Sequence, residues 1–360
     1  MPLRRLVPAL SAAGLSLLAL SACSELSADS GGGAPEETTV CMVADGQGFE
    51  DLTFHQSAHD GLEQAEQDTG VTTRDSVVGS QAEFDPAVRS MVQSGCDLTI
   101  ANGQPLSQVA LQVAADEPQA SFATVDDAAG EGLDNVKPLS FDSGTAAFLA
   151  GYLAAGTTET GTVAAFGGQD IPRVTLLLDG FAEGVEHWNE EKDDDVELLG
   201  WDRQEQEGEI LGSFSDVEGA RELTEGFLDD GADIVLPVAG GASVGTAQAV
   251  AATGEGADQA LFIWVDTDGY EVLPESQRGH QLTSVLKDLT GPVESLVRDL
   301  EHGELDVSPY VGTLDNGGVG IADHHDQDDR VGPELSAEVA ELRQQIIDGE
   351  LDIESQDDAG

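Results

Sequence analysis

Residues 39–56 read TVCMVADGQGFEDLTFHQ, an apolar run that ends in an acidic, glycine-containing turn. The run predicts a buried strand over 39–44, because parallel strands with helices on both faces are apolar throughout. Residues 56–68, after the turn, alternate apolar and polar side chains at helical spacing and predict a helix. A buried strand, a polar turn and a helix in this order are the unit of a parallel α/β sheet.

The same unit recurs along the rest of the chain. Further apolar runs predict strands over residues 71–78, 97–100, 120–125, 161–166, 196–201, 233–238 and 261–266. Amphipathic stretches between these runs predict helices over residues 85–94, 143–155 and 217–230. Eight or more strands in about 320 residues suit two doubly wound parallel-sheet domains rather than one.

The composition limits the partners of this chain. Its 360 residues include 70 Asp and Glu but only 14 Lys and Arg, which gives a formal net charge of −56. So strong a negative charge disfavours nucleic acid and anionic lipid surfaces as partners of the folded body. Repulsion among the acids destabilises a fold at low salt and is screened at high salt, so we interpret the surface as suited to a salty medium. An ordinary acidic soluble protein is the alternative.

The N-terminus has the features of a targeting segment. Two arginines precede an apolar stretch over residues 6–20, which is short for a stable membrane span. We therefore predict a secretory signal peptide over residues 1–22 and a flexible tether over 23–38. Small residues directly before Cys23 resemble a bacterial lipoprotein box, which implies cleavage before Cys23 and lipid on its sulfur and amine. An ordinary signal peptide with a chance cysteine is the alternative.

Two further cysteines lie near predicted strands. Cys41 is inside the first apolar run, and Cys96 directly precedes the third. If these runs are neighbouring parallel strands, both cysteines lie at the same end of the sheet. A disulfide is then expected, since an exported chain meets an oxidising compartment. Two buried free thiols are the alternative.

Open parallel sheets bind ligands at the carboxyl ends of their strands, so the residues that follow each run are candidates for a site. Asp45 follows the first run, Asp126 follows the fourth, and Asp266 ends the eighth. Gly240 lies in a glycine-containing turn after the seventh run, and Lys287, one of only three lysines, lies farther along the chain. These residues predict a polar site with a cation among carboxylates.

Short segments spread over residues 39–321 also carry a resemblance to a known family. They are Phe54–Gln56, Phe148–Gly151, Gly167–Gly168 with Pro172, Gly180–Phe181 with Gly184, Gly212–Phe214, Gly231–Asp233 with Ala239–Gly241, Val265–Asp266, Thr283–Ser284 with Lys287, and Asn316–Val319. In this order they resemble the basic-membrane-protein (BMP) family of lipoproteins, the purine-nucleoside receptors of ABC importers. The resemblance implies a type I periplasmic-binding-protein fold, in which a three-stranded hinge joins two lobes and the ligand lies in the cleft.

The resemblance also implies the extent of the lobes and the partners. The expected segments are an N-terminal lobe over 39–141 plus 267–311, a C-terminal lobe over 142–266 plus 312–348, and an acidic tail over 349–360. The receptor is expected outside the cytoplasm, held at the cell membrane by its lipid anchor only. Its partners are then a purine nucleoside, an ABC permease and the ATPase of that permease. The resemblance implies no cofactor and no catalysis.

The base of the nucleoside needs stacking faces and hydrogen-bond acceptors. By resemblance, Phe54 and Phe214 are the stacking faces, and the alternative is that both are core residues. Asp45 and Asp126, which we expect on adjacent strand ends, would accept N–H groups from the base edge; helix capping is the alternative. Two such acceptors favour inosine and guanosine, whose N1–H donates, over adenosine.

The sugar needs partners for its hydroxyl groups. By resemblance, Asp266 and Lys287 hold the ribose and Gly240 lets the backbone approach it; a structural ion pair and a tight turn are the alternatives. The chain has His55 where the family usually has Asn, so base preference or its pH dependence is expected to differ, unless His55 points away from the site. A second departure, Leu177, is expected to affect lobe packing only.

An enzyme is the first alternative to a receptor. Residues 241–245 read GASVG and match the G-x-S-x-G pattern around Ser243, between a predicted strand and a helix. An acid and a histidine follow in hydrolase order, as Asp266 and either His280 or His302. The pattern is weak in a chain with 43 glycines, and no HGGG-type segment precedes it.

Two other binding functions remain open. The acidic and histidine-containing residues 323–329 could hold Zn²⁺ or Cu²⁺, although a solvated acidic loop explains them as well. A receptor of the same fold for a sugar or a signalling ligand is the other alternative, because function follows the pocket rather than the fold.

Overall fold

The computed structural model of the protein describes residues 38–46, 48–126, 132–254, 259–303 and 305–353. The predicted signal peptide, Cys23 and the tether as far as residue 37 lie outside the described residues, as does the acidic tail from residue 354. None of the described helices combines the length and the apolar composition that a bilayer crossing requires.

Strands and helices alternate through the described residues. The strands are β1 (Thr39–Asp45), β2 (Thr72–Val78), β3 (Leu98–Asn102), β4 (Ser121–Val125), β5 (Val136–Phe141), β6 (Thr162–Gly167), β7 (Glu197–Leu199), β8 (Trp201–Asp202), β9 (Glu207–Gly208), β10 (Ile234–Val238), β11 (Leu261–Asp266), β12 (Gln281–Lys287), β13 (Tyr310–Gly312) and β14 (Val319–Ile321). The helices are α1 (Phe54–Thr69), α2 (Phe84–Gln93), α3 (Gln104–Asp116), α4 (Ser143–Thr157), α5 (Pro172–Lys192), α6 (Val217–Asp229), α7 (Val244–Ala251), α8 (Gly269–Val272), α9 (Glu275–Arg278), α10 (Thr290–Glu301) and α11 (Asp328–Ile347). The expected strand over 196–201 is divided between β7 and β8, because Gly200 between them has φ 84°.

The strands form two six-stranded sheets. The first has the order β13-β5-β4-β3-β1-β2, and the second has the order β14-β12-β11-β10-β6-β7. Neighbouring strands are parallel in both sheets, except that the edge strand β14 runs antiparallel to β12. Residues 40–44 of β1 are fully buried, as a strand with helices on both faces requires. The expected α/β fold with two parallel sheets is confirmed.

The second sheet is covered by two helices that approach each other unusually closely. α4 packs along α5, and almost all residues of α4 are buried. A Cβ atom at Gly151 of α4, or at Gly184 of α5, would collide with the backbone of the other helix. Two of the family-like segments, Phe148–Gly151 and Gly180–Phe181 with Gly184, therefore belong to this helix contact.

The chain crosses between the two sheets three times. It leaves the first sheet after β5, returns to it between β12 and α10, and crosses again between β13 and β14. α10 packs on α1 of the first lobe, where the Thr290 hydroxyl donates to the Ser57 carbonyl at 2.8 Å. The first lobe therefore contains residues 38–141 and 290–312, and the second contains 143–287 and 319–353 as far as they are described.

One expected lobe boundary is wrong. The expected N-terminal lobe includes residues 267–287, but β12 pairs with β11 in the second sheet, with Val265 opposite Val285. After β11 the chain folds back through α8 and α9 and adds one more parallel strand before it crosses. The middle crossing is consequently near residue 288 and not after Asp266.

Cys41 and Cys96 form a disulfide, with their Cα atoms 5.9 Å apart. Cys41 lies in β1, and Cys96 lies two residues before β3, which pairs with β1 in parallel. The strand adjacency on which the expected pairing depended is therefore present.

Candidate ligand-binding cleft

A cleft between the two lobes lies at the carboxyl ends of the strands of both sheets. Its lining surrounds about 650 Å³ of space outside protein atoms, open solvent included. All eight residues that we expected to contact a ligand line it. They are Asp45, Phe54, His55 and Asp126 from the first lobe, and Phe214, Gly240, Asp266 and Lys287 from the second.

A lysine between two carboxylates links the lobes across this cleft. Lys287 Nζ is 3.0 Å from Asp126 Oδ2 of the first lobe and 3.5 Å from Asp266 Oδ1 of the second. The exposed fraction of the three side chains is 5% for Lys287, 8% for Asp126 and 12% for Asp266. The other Asp126 oxygen, Oδ1, is buried and has no hydrogen-bond partner among the described residues.

Burial and mutual charge control the ionisation of this group. Burial raises the pKa of Asp266 to about 6, and the negative charge of Asp126 adds to the rise while the ammonium of Lys287 opposes it. Burial lowers the pKa of Lys287, but the charges of Asp126 and Asp266 outweigh it and hold this pKa above its ordinary value. The lysine therefore stays charged while Asp266 titrates in the slightly acidic range.

The two carboxylates are held in an unusual backbone conformation. Asp126 has φ 64° and Asp266 has φ 67°, both in the left-handed region that residues other than glycine enter rarely. Each lies at or directly after the last residue of a parallel strand, where the chain turns away from the sheet. Such conformations persist where the surrounding structure imposes them, and they concentrate at binding sites.

A histidine and an aspartate of the first lobe also form a pair in the cleft. His55 Nε2 is 2.9 Å from Asp45 Oδ1, and the His55 side chain is buried. Asp51 begins α1 by accepting hydrogen bonds from the backbone N–H groups of Thr53, His55 and Gln56. Burial lowers the pKa of His55, but the hydrogen bond and charge of Asp45, with the charges of Asp51 and Asp266, raise it above its ordinary value.

Aromatic side chains come from both lobes. Phe54 is the first residue of α1, and its ring centroid lies 5.3 Å from Lys287 Nζ. Phe214 precedes α6 in the second lobe and packs against Gly168, where a Cβ atom would collide with its ring. Both phenylalanines are partly exposed, pack against the core and line the cleft.

The relative positions of two carboxylates differ from expectation. Asp45 and Asp126 do not lie on adjacent strand ends, because β3 is inserted between β1 and β4. Two strand spacings separate the ends of β1 and β4 by about 10 Å. Asp45 is therefore paired with His55, and Asp126 is grouped with Lys287 and Asp266.

The sequence reasoning missed several residues of the cleft. They are Asp51, Gly103, Gln104, Pro105, Ile171, Arg173, Val174, Leu177, Val238 and Val265. Gly103–Pro105 follow β3, so the rule that ligands bind at the carboxyl ends of parallel strands could have identified them.

Residues of α5 also line the cleft. Leu177 is one of them, which corrects the expectation that it affects packing only. Arg173 at the start of α5 had no sequence signal; its Nε donates to the Asp126 carbonyl at 3.0 Å.

The residues of the hydrolase alternative have structural partners. Ser243 is fully buried, and its hydroxyl donates to the Pro237 carbonyl at 3.3 Å. His280 is buried and its Nδ1 contacts the Ala260 carbonyl, also at 3.3 Å. These positions give the hydrolase alternative no support.

The metal alternative is likewise unsupported. His325 contacts Asp268 at 2.7 Å through Nε2 and stacks on Tyr270, so it is engaged in packing between two segments of the second lobe. Among the residues that the structure describes, no three His, Cys, Asp or Glu side chains form a group that could hold a metal ion.

Two α/β lobes, three chain crossings and a polar cleft at the strand ends define the fold of the periplasmic-binding-protein type. The family model described as ABC transporter substrate-binding protein PnrA-like (Bmp) matches residues 38–357. The chain belongs to this family, and the resemblance to basic membrane proteins is confirmed. It is accordingly a substrate-binding protein of an ABC transporter. Proteins of this class act outside the cytoplasm and bind solutes rather than catalyse reactions.

Relatives match over nearly the whole chain. The ABC transporter nucleoside-binding protein BmpA of Lactococcus lactis is 26% identical over 370 residues, which cover 98% of this chain and all of that protein. A CD4+ T-cell-stimulating antigen of Listeria innocua is 26% identical over 93% of this chain and 94% of its own. A solute-binding protein of an ABC transporter system from Aeropyrum pernix K1 superposes with a TM-score of 0.77 at 25% identity, covering 88% of this chain and 92% of that one.

Proposed function

We propose that this protein captures purine nucleosides outside the cytoplasm and delivers them to an ABC permease, anchored to the membrane by lipid on Cys23. The observation that carries the proposal is the composition of the cleft. It offers partly exposed aromatic rings from both lobes, Phe54 and Phe214, together with carboxylates from both lobes. A nucleoside needs this combination, because its base is flat and its edges and sugar are polar.

The two ends of the cleft suit different parts of a nucleoside. Asp266 and Lys287, with Gly240 beside them, form a charged end that can bind vicinal hydroxyls. Asp45, held by His55, is a carboxylate at the other end that can accept an N–H from a base edge. Asp126 Oδ1 would gain a partner if a ligand donor reached it. Inosine and guanosine are therefore expected to bind more tightly than adenosine, which has no N1–H to donate.

Isothermal titration of the mature chain from residue 24 tests this proposal. The protein is unfolded and refolded first to remove bound ligand, and is then titrated in molar salt with inosine, guanosine, adenosine, uridine and ribose. Purine-selective binding supports the proposal, and adenosine binding at least as tight as inosine contradicts the base preference. Binding of ribose alone, or no heat from a folded protein, would favour a receptor for a sugar or another cleft ligand.

Substitution of one carboxylate tests base recognition separately from the effect of removing a negative charge elsewhere on the protein. Asp45→Asn keeps the size of the side chain and removes its charge, so it should weaken inosine binding by about tenfold or more. Asp75→Asn is the matched control, since Asp75 is an exposed residue of β2 outside the cleft. Equal affinities of the two variants for inosine would show that Asp45 does not contribute to binding.

The lipid anchor needs a separate measurement, because Cys23 lies outside the described residues. Cells grown with a labelled fatty acid should incorporate the label into the wild-type protein but not into Cys23→Ser. Release of the variant into the medium, with the wild type retained on the cells, is the second expected result. Equal labelling of both proteins would contradict anchoring at Cys23.

A further inference from the structure

A second cavity adjoins the ligand cleft at its outer end. Asp45, Pro105 and Phe214 line both spaces, so the two are contiguous. We call this second space the outer chamber; it is bounded by the segments after β1 and β2 of the first lobe and by residues 212–215 of the second. Its lining surrounds about 860 Å³ of space outside protein atoms, open solvent included.

The lining of the outer chamber is polar and uncharged for the most part. Hydroxyl and amide side chains come from both lobes: Ser80, Gln81, Gln169, Ser213 and Ser215. Among the described residues that line it, Asp45 is the only charged one, and none is basic.

The outer chamber lies at one particular end of the cleft. Gly240, Asp266 and Lys287, the residues proposed for the sugar, line the inner space and not the outer chamber. Asp45, proposed for the base edge, lines both. A nucleoside bound as proposed therefore directs its sugar away from the outer chamber and directs the base edge at Asp45 towards it.

We propose that the outer chamber accommodates a neutral, hydrogen-bonding substituent on the base, so that the receptor also takes purine nucleosides enlarged at the edge facing Asp45. This inference rests on the proposed function. A substituent at the sugar 5′ position would instead meet the buried charged group of Lys287, Asp126 and Asp266.

Charge restricts the substituent further. The Asp45 carboxylate stands at the entrance, and Glu83 lies beside the outer chamber, accepting a hydrogen bond from the Ser80 hydroxyl at 3.0 Å. An anionic substituent would meet these acids without a basic residue among the described lining to compensate it. Hydroxyl and amide groups instead match the serines and glutamines of the wall.

Titration calorimetry with four ligands tests the inference on the full mature protein. The ligands are guanosine, N2-(2-hydroxyethyl)guanosine, N2-carboxymethylguanosine and 5′-O-(2-hydroxyethyl)guanosine. We expect the N2-hydroxyethyl compound to bind within about tenfold of guanosine, and the other two substituted compounds to bind at least about a hundredfold more weakly. Guanosine binding without N2-hydroxyethyl binding overturns the inference and leaves the proposed function standing. Failure of guanosine itself, with a folded protein, overturns the proposed function and the inference with it.

A variant that fills the outer chamber locates the substituent. Ser80→Trp places a large ring on the first-lobe wall, and should weaken the N2-hydroxyethyl compound by about tenfold or more while leaving guanosine within about threefold. Ser295→Trp, on an exposed position of α10, is the matched control and should change neither. An N2-hydroxyethyl compound that binds Ser80→Trp as tightly as wild type, or a carboxymethyl compound that binds as tightly as its neutral counterpart, would overturn the inference.

Discussion

Removal of the Lys287 ammonium should destabilise the ligand-free protein strongly. In Lys287→Met, Asp126 and Asp266 lose a cation at 3.0 Å and 3.5 Å and stay buried next to each other. Loss of one partner from a buried ion pair costs about 3–5 kcal/mol, because a charge remains without compensation. Met has nearly the same length and shape, so a loss of packing contributes little to this cost.

The cost should depend on pH in a defined direction. The pKa of Asp266 is raised to about 6 from its ordinary value of 3.8, so the folded state binds a proton that the unfolded state does not between these values. The ionised carboxyl therefore lowers the free energy of unfolding above about pH 6, and this penalty is absent below about pH 4. Without Lys287 the pKa of Asp266 rises further, so the variant recovers part of its stability when acidified from pH 7.5 to pH 5. One unit of additional shift corresponds to about 1.4 kcal/mol.

Urea denaturation at the two pH values, in constant salt and followed by circular dichroism, measures both effects. Lys137→Met is the matched control, because Asp306, the partner of Lys137 at 3.9 Å, is 62% exposed and is not left as a buried charge. The control should have the denaturation midpoint of the wild type. A Lys287→Met protein as stable as wild type at pH 7.5, or one destabilised equally at both pH values, would refute the reasoning about the buried group.

Three further predictions concern other parts of the molecule. Reduction of the disulfide between Cys41 and Cys96 removes a closed loop from the unfolded state, so it should lower the free energy of unfolding by up to about 4 kcal/mol. Denaturation with and without reductant measures this, and an unchanged midpoint would contradict it. Gly168→Ala should press on the ring of Phe214 and weaken nucleoside binding in calorimetry by about tenfold, whereas Gly226→Ala, with open space around its Cβ, should not. The melting temperature should rise from dilute to molar salt, given the net charge of −56, and a constant value would show that surface repulsion is unimportant.

The fold could be predicted from the sequence wherever a strand is apolar throughout. β11 begins and ends where the run 261–266 predicted it, because all its side chains face helices or neighbouring strands. β12 was not predicted, because four of its seven residues are polar: Gln281, Thr283, Ser284 and Lys287. These side chains are buried but satisfied by specific partners: the Thr283 hydroxyl donates to the Ala322 carbonyl, and the Ser284 hydroxyl accepts from the Gly269 N–H. Such partners come from distant segments, so a hydrophobic pattern cannot reveal them. Because β12 is missing from the predicted strands, the expected lobe boundary falls too early, directly after β11.

The sequence predicts some of the residues that line the cleft but not their arrangement. The carboxyl-end rule and the family resemblance together brought Asp45, Asp126, Asp266 and Lys287 to one cleft, where the structure places them. Their grouping depends on strand order, which the chain sequence does not encode directly. β3 lies between β1 and β4, and this separates Asp45 from Asp126. The sequence also gives no signal for Arg173, because its contact with the Asp126 carbonyl depends on how the two lobes pack.

The position of Lys287 in the chain couples the cleft to the hinge. Lys287 is the last residue of β12, and the chain crosses to the first lobe directly after it. Its ammonium contacts Asp126 of the first lobe, while its backbone belongs to the second sheet. Rotation of the lobes about the crossings must therefore change the distance between Lys287 and Asp126. A ligand that bridges Asp266 and the first lobe stabilises the arrangement in which this distance is short, and so favours closure by its differential affinity for the closed form. This buried cation and Arg173, whose Nε donates to the Asp126 carbonyl, both attach the second lobe to the same residue of the first.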